Sequence, residues 1–184
     1  MAPCFLTPRN SALLVVDIQE QLIKVINEKQ RVIDNTILLL KAARVLKMPI
    51  LSTTQYAARI GDFPPPIKAE LTEAPIDKLE FSCFGSQNFT TALASLPPGI
   101  KSLIICGVET HICIYQTVLG GLLAGYRMLV PADAVSSRTA ANNHSGLQRI
   151  KQISGEIVNT EMVIYELLRK AGTREFKALL PFLK

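Results

Sequence analysis

The sequence contains no tryptophan and only two histidines, His111 and His144. They do not stand at a metal-ligand spacing, so a zinc centre built on imidazoles is not expected. Aromatic residues make up 6% of the chain, and its 20 lysines and arginines are scattered. Without a basic run interleaved with aromatics, nucleic acid is not an expected partner. The formal net charge of +5 then reads as that of a mildly basic globular protein. There are four cysteines, Cys4, Cys83, Cys106 and Cys113, and none form a Cys-x-x-Cys pair. That usage suits free thiols in a reducing compartment. No apolar run is long enough to span a bilayer, so no membrane partner is expected. The start, Met1-Ala2-Pro3-Cys4-Phe5-Leu6-Thr7-Pro8-Arg9, lacks the apolar core of a signal peptide, and a cytoplasmic protein is the expectation. No Gly-x-Gly-x-x-Gly follows a strand and no phosphate loop is present, so no nucleotide cofactor is expected.

What is present is an apolar chain, 48% hydrophobic over 184 residues, without repeats or linkers. One domain over residues 1–184 is the expectation. Ser11-Ala12-Leu13-Leu14-Val15-Val16-Asp17 is a continuous apolar run closed by an acid, as suits a central parallel strand. Ile33, Ile37, Leu38, Leu40 and Leu46 follow at helical spacing and stop before Pro49. Further strands are expected at 49–54, 76–80, 102–106, 126–130 and 156–159. Further helices are expected at 88–94, at 112–123, through Leu147 and Ile150, after Thr160 as N-cap, and through Phe176 and Leu180. Residues 55–75, with Gly61, Pro64-Pro65-Pro66 and Pro75, read as a long irregular loop. Strands alternating with helices argue an α/β fold with a parallel sheet covered on both sides, and all strand carboxyl ends on one edge.

Three chemical groups fall on that edge. Asp17 ends the first strand, Lys78 lies in the third strand region, and Cys113 follows the fourth in Gly107-Val108-Glu109-Thr110-His111-Ile112-Cys113. Thr110 reads as an N-cap, which places Cys113 in the first turn of a helix. The helix end there favours an anion, so the thiol is expected to lose its proton more easily than a free cysteine. A carboxylate can take that proton and an ammonium can hold the carboxylate charged. Backbone N–H groups of Glu109 and Cys113 can bind a developing oxyanion. The plainer readings are a cysteine acting as a small buried hydrophobe, and a Lys78 paired at the surface with Asp77 and Glu80. His111, two positions from Cys113, points to another face, and His144 reads as a surface residue. Gln19, Gln55, Tyr56, Phe84 and Tyr115 are candidates for the wall of a substrate pocket. Two further readings remain open: an inactive scaffold that keeps the fold, and a redox-sensing thiol with Cys83 or Cys106 as its partner.

The set resembles the isochorismatase-like cysteine hydrolase superfamily. The resemblance is carried in order by Leu14-Val15-Val16-Asp17-Ile18-Gln19, by Lys78 with Phe81-Ser82-Cys83-Phe84, by the stretch from Gly107 to Cys113, by Gly125-Tyr126, and by Asp133-Ala134-Val135-Ser136-Ser137-Arg138. It implies a three-layer Rossmann-like fold whose six-stranded, mostly parallel sheet runs 3-2-1-4-5-6, with helices on both faces. It implies Asp17 as general base, Lys78 as its charge partner and Cys113 as nucleophile. It also implies a cis peptide between Val108 and Glu109, which turns the Glu109 and Cys113 amides toward one oxyanion. Where the nicotinamidase branch has an aspartate and histidines for a metal, this chain reads Thr53-Thr54-Gln55-Tyr56, similar to the isochorismatase domain-containing group, and no metal is implied. The implied activity is cofactor-independent hydrolysis of a small amide, carbamoyl or related carbonyl compound through a thioester, in a homodimer or larger homo-oligomer.

Overall fold

The computed structural model describes residues 4–183. Strands β1 (Ser11–Val16) and β4 (Ser102–Val108) are buried along their whole length and pair in parallel, with Leu13 opposite Ile104 and Val16 opposite Gly107. Their continuous apolar character follows from burial on both faces. Leu13, Val15, Ile104, Cys106 and Val108 pack into one core. Ala12, Leu14, Val16, Leu103 and Ile105 pack into the other. The short helix α1 (Glu20–Ile23) leads to α2 (Lys29–Leu46), which covers the first face together with α8 (Thr160–Leu168) through Val32, Leu39, Leu40, Val163 and Leu167. The second face is covered by α5 (Gln87–Ala94), α6 (Tyr115–Leu123) and α7 (Ala140–Gln152), through Phe89, Leu93, Val118 and Ile150. A terminal helix, α9 (Arg174–Leu179), closes against α2. No helix among the described residues is long and apolar enough to cross a membrane.

With β2 (Ile50–Gln55), β3 (Ile76–Lys78), β5 (Arg127–Pro131) and β7 (Glu156–Val158), the sheet runs β3-β2-β1-β4-β5-β7, all parallel. These are the six expected strands in the expected order. A seventh, β6 (Val135–Ser136), pairs with β4 beyond the end of β5, and two residues are too few to leave a periodic signal. The order reverses between β1 and β4, so the carboxyl ends of these two strands frame the crevice where open α/β sheets place their sites.

Three local expectations need correction. Residues 55–75 hold two single-turn helices, α3 (Ala57–Ile60) and α4 (Pro65–Lys68), the second opened by prolines where a missing N–H costs nothing. Thr160 is the first helical residue, after Asn159, and gives its N–H and hydroxyl to the Asp133 carboxylate, each at 2.9 Å. Thr110 caps no helix either: its hydroxyl donates to Asn143 Oδ1 at 2.7 Å.

Gly107 fixes how closely β1 and β4 approach at the crevice. Its φ is +127°, and a Cβ would collide with the Val16 carbonyl. Gly107→Ala is expected to cost more than about 4 kcal/mol of stability in urea denaturation, because both backbone conformation and register oppose the methyl. A cost below about 1 kcal/mol would mean that the strand ends yield.

Candidate active site

Asp17 directly follows β1 and takes a left-handed φ of 54°, which turns the chain out of the sheet. Its N–H donates to the Thr53 carbonyl at 3.1 Å, continuing the β1–β2 ladder one step further. Its Oδ1 accepts from Thr53 Oγ1 at 2.8 Å and its Oδ2 from Lys78 Nζ at 2.7 Å. Both side chains of the ion pair are fully buried. Lys78, on edge strand β3, donates its other protons to Gln55 Oε1 at 2.8 Å and the Glu80 carbonyl at 3.1 Å. All three protons of the ammonium are therefore engaged. Asp77 points the other way and accepts from Thr54 Oγ1 and the Ala57 N–H, so it does not pair with Lys78. Glu80 offers Lys78 only its main-chain oxygen.

After β4 the Val108–Glu109 peptide is cis. The next five residues, Thr110–Ile114, form a π-helical turn that runs straight into α6. Cys113 lies in this turn, with only 6% of its surface exposed. Its thiol faces the Asp17 carboxylate, and each group shifts the proton affinity of the other.

The electrostatics reverse one expectation. Burial above all, and then the Asp17 charge, push the Cys113 thiol up, against the pull of Lys78. Desolvation and a facing carboxylate outweigh a helix end. Burial likewise pushes the Asp17 carboxyl up, against Lys78, Thr53 and Cys113. The resting site is thus a neutral thiol beside a carboxylate of raised basicity.

The other thiols are placed just as tightly. Burial pushes Cys83 up to about 11 and Cys106 up to about 12. Cys106 packs in the core on the opposite face of the sheet from Cys113, and its thiol lies 3.8 Å from the Leu14 carbonyl oxygen. It is not placed to resolve an oxidised Cys113. Because the folded chain holds these thiols protonated while the unfolded chain ionises them near 9.0, stability present below that pH is lost as pH rises toward 11 and 12. Urea midpoints should fall between pH 8.5 and 11, and Cys106→Ala should flatten part of that fall. An unchanged slope would contradict it.

Of the residues proposed for a pocket wall, the two glutamines have their amides engaged within the protein. Gln19 is fully buried, accepts from the Gln55 N–H, and donates to the Gln55 and Gly61 carbonyls, so it braces a loop. Gln55 holds Lys78 through Oε1 and donates to the Leu79 carbonyl through Nε2. Tyr56 follows β2, gives its N–H to the Lys78 carbonyl at 2.9 Å, and is exposed, as are Leu79 and Phe81. Phe84 stacks edge-on against Phe89. Tyr115 opens α6, and its hydroxyl accepts from Arg149 at 2.7 Å. His111 is half-buried with Nδ1 2.9 Å from Ser137 Oγ, and His144 is exposed. Among the described residues no His, Cys, Asp and Glu side chains cluster as a metal site. Thr53 was absent from the sequence-derived site, although it stands opposite Val16 in the β1–β2 register, one step from Asp17.

The isochorismatase domain model matches residues 11–162. The secreted isochorismatase effector Isc1 of Phytophthora sojae is 37% identical, over 97% of this chain and 87% of its own length. Among solved structures, the MAR1 ribonuclease of Caenorhabditis elegans is similar with a TM-score of 0.90 at 30% identity, covering 98% of this chain and 92% of its own. The YcaC gene product of Escherichia coli, described as an octameric hydrolase of unknown specificity, also gives a TM-score of 0.90, at 25% identity and over 100% and 91% of the two chains.

Proposed function

The chain belongs to the isochorismatase family of hydrolases, and we propose that it is a cofactor-independent cysteine hydrolase of small amides, carbamoyl or related carbonyl compounds. The observation that carries this reading is the sealed Lys78–Asp17 pair, 2.7 Å apart, facing the thiol of Cys113. Cys113 Sγ attacks the carbonyl carbon as its proton passes to Asp17. Ionisation is therefore coupled to attack, as the raised thiol requires. The N–H groups of Glu109 and Cys113 receive the oxyanion, and Asp17 hands the proton to the leaving group. Water, deprotonated by Asp17, then releases the acid from the thioester. Lys78 donates to Asp17, Gln55 and the Glu80 carbonyl, and so fixes the carboxylate in place through these steps.

The octameric relative from E. coli supports a homo-oligomer here, and the exposed side chains of Tyr56, Leu79 and Phe81 suit a subunit contact. Free thiols at Cys4, Cys83, Cys106 and Cys113 fit a cytoplasmic site of action.

A second reading has its own support. The P. sojae relative is named an isochorismatase, and burial holds the Asp17 carboxyl up, which suits an acid that protonates a vinyl ether. That cleavage needs no thiol nucleophile.

The test is intact-protein mass spectrometry during turnover of a panel of small amides, carbamates, ureas and activated esters, with isochorismate and RNA as further arms. An acyl adduct on Cys113 is the expected result. Turnover of isochorismate or RNA without an adduct would move the assignment to acid chemistry at Asp17 or to nucleic acid. No turnover and no adduct anywhere would favour the inactive scaffold.

A further inference from the structure

The nucleophile turn is held from outside as well as by its own backbone bonds. Glu109, which precedes it, and its first two residues, Thr110 and His111, are each tied by a side chain to one later stretch, residues 137–146. The Glu109 carboxylate accepts from Arg138 N at 2.9 Å, from Nη2 at 2.6 Å and from Nε at 3.2 Å. Thr110 Oγ1 donates to Asn143 Oδ1 at 2.7 Å, and His111 Nδ1 lies 2.9 Å from Ser137 Oγ. Beneath them α7 presses on the turn at Gly146, where a Cβ would come within 3.0 Å of His111 N and Cα. These ties begin where backbone pairing stops. Strand β6 pairs with β4 at Gly107–Val135 and Val108–Ser136, and the two chains then run on side by side, joined through side chains.

Glu109 and Thr110 are buried, while Arg138 reaches solvent. A bidentate guanidinium restricts the carboxylate, and with it the main chain of Glu109, more than a single contact does. The main-chain N–H of Glu109 is one of the two proposed oxyanion donors, and tenths of an ångström matter to such a donor.

We propose that residues 137–146 brace the oxyanion donors of the nucleophile turn, with Arg138 and Asn143 as positioning residues. The proposal rests on the hydrolase reading above. It assigns a role to β6, which launches the brace in register with β4.

Two reactions of Cys113 separate positioning from mere support. Acylation by p-nitrophenyl acetate passes through a tetrahedral oxyanion: the thiol sulfur bonds to the acetyl carbon, p-nitrophenolate leaves and the thiol proton goes to Asp17. Alkylation by iodoacetamide displaces iodide from an sp³ carbon and builds no oxyanion. Arg138→Gln and Asn143→Leu are each expected to slow acylation by about 10²-fold while alkylation changes by less than about threefold. Arg138→Lys, which keeps the charge but loses the fork, should recover part of the acylation rate. Equal loss of both rates in either variant would make the brace purely structural and overturn the proposal. Acylation at the wild-type rate in both variants would overturn it too and leave the hydrolase reading standing. Wild-type acylation no faster than the Cys113→Ala blank would overturn that reading, and the brace with it.

Discussion

Cys113→Ala is expected to lower hydrolysis of any amide or ester substrate by about four to six orders of magnitude, the range seen when a triad nucleophile is removed. The expectation is steep because the thiol is the only member of the site whose loss removes bond formation itself. Asp17, Lys78, Thr53 and the turn amides remain in place, and an alanine fits where a thiol with 6% exposure sat. Stability should therefore shift by no more than about 1 kcal/mol. The thiol is also one of three groups that pull on the Asp17 carboxyl, so its loss lets that carboxyl rise further. Initial rates at saturating substrate, paired with thermal unfolding of the same samples, read both effects. Residual turnover above about a hundredth of wild type would place the nucleophile elsewhere. Unchanged cleavage of a vinyl ether in the same variant would single out Asp17 as the working acid.

The centre of this fold was the easiest part to read from sequence, and for a physical reason. The runs at 12–16 and 103–106 are apolar at every position because both their faces are covered, as suits central parallel strands. The weak elements are those with too few residues to show a period. Val135–Ser136 and the single turns at Ala57–Ile60 and Pro65–Lys68 are examples. Local capping logic failed at Thr110 and Thr160 because each hydroxyl found a partner far along the chain, at Asn143 and Asp133.

The site was legible as far as one strand edge collects Asp17, Lys78 and the turn after β4. Its electrostatics were not. A cysteine at a helix start is acidified by its own backbone, but the burial that overrides this comes from the core on its own face of the sheet and is invisible in a local window. Gln19 and Gln55 looked like pocket walls because they flank the right strand ends. Their amides are consumed by Gly61, Leu79 and Lys78, partners that only the folded crossover brings near. Thr53 was recoverable: once β1 and β2 are taken as parallel neighbours, the residue opposite Val16 must stand beside Asp17.

Lys78→Met is the variant expected to lower stability and chemistry together. The substitution keeps the volume of the side chain's apolar stem and removes the ammonium, which leaves the fully buried Asp17 carboxylate with Thr53 Oγ1 as its side-chain hydrogen-bond donor. Gln55 Oε1 and the Glu80 carbonyl lose a donor as well. Breaking a buried pair from one side costs about 3–5 kcal/mol. The carboxyl escapes most of that cost by keeping its proton, because the coulombic and hydrogen-bond pull of Lys78 that had opposed desolvation is gone. The sign follows. A carboxyl whose folded pKa lies above its unfolded value gives stability at low pH and loses it as pH rises through the folded value. Lys78→Met should then be closer to wild type in urea at pH 5 than at pH 8, and nearly inactive at both, since a protonated Asp17 accepts nothing from the thiol. The double variant Asp17→Asn/Lys78→Met removes both charges, and asparagine tolerates the left-handed φ of 54° at position 17. It should regain most of the lost stability at pH 8 and none of the activity. Wild-type turnover in Lys78→Met, with no pH-dependent loss of stability, would mean that the ammonium does not hold the base, and the proposed proton path through Asp17 would fall.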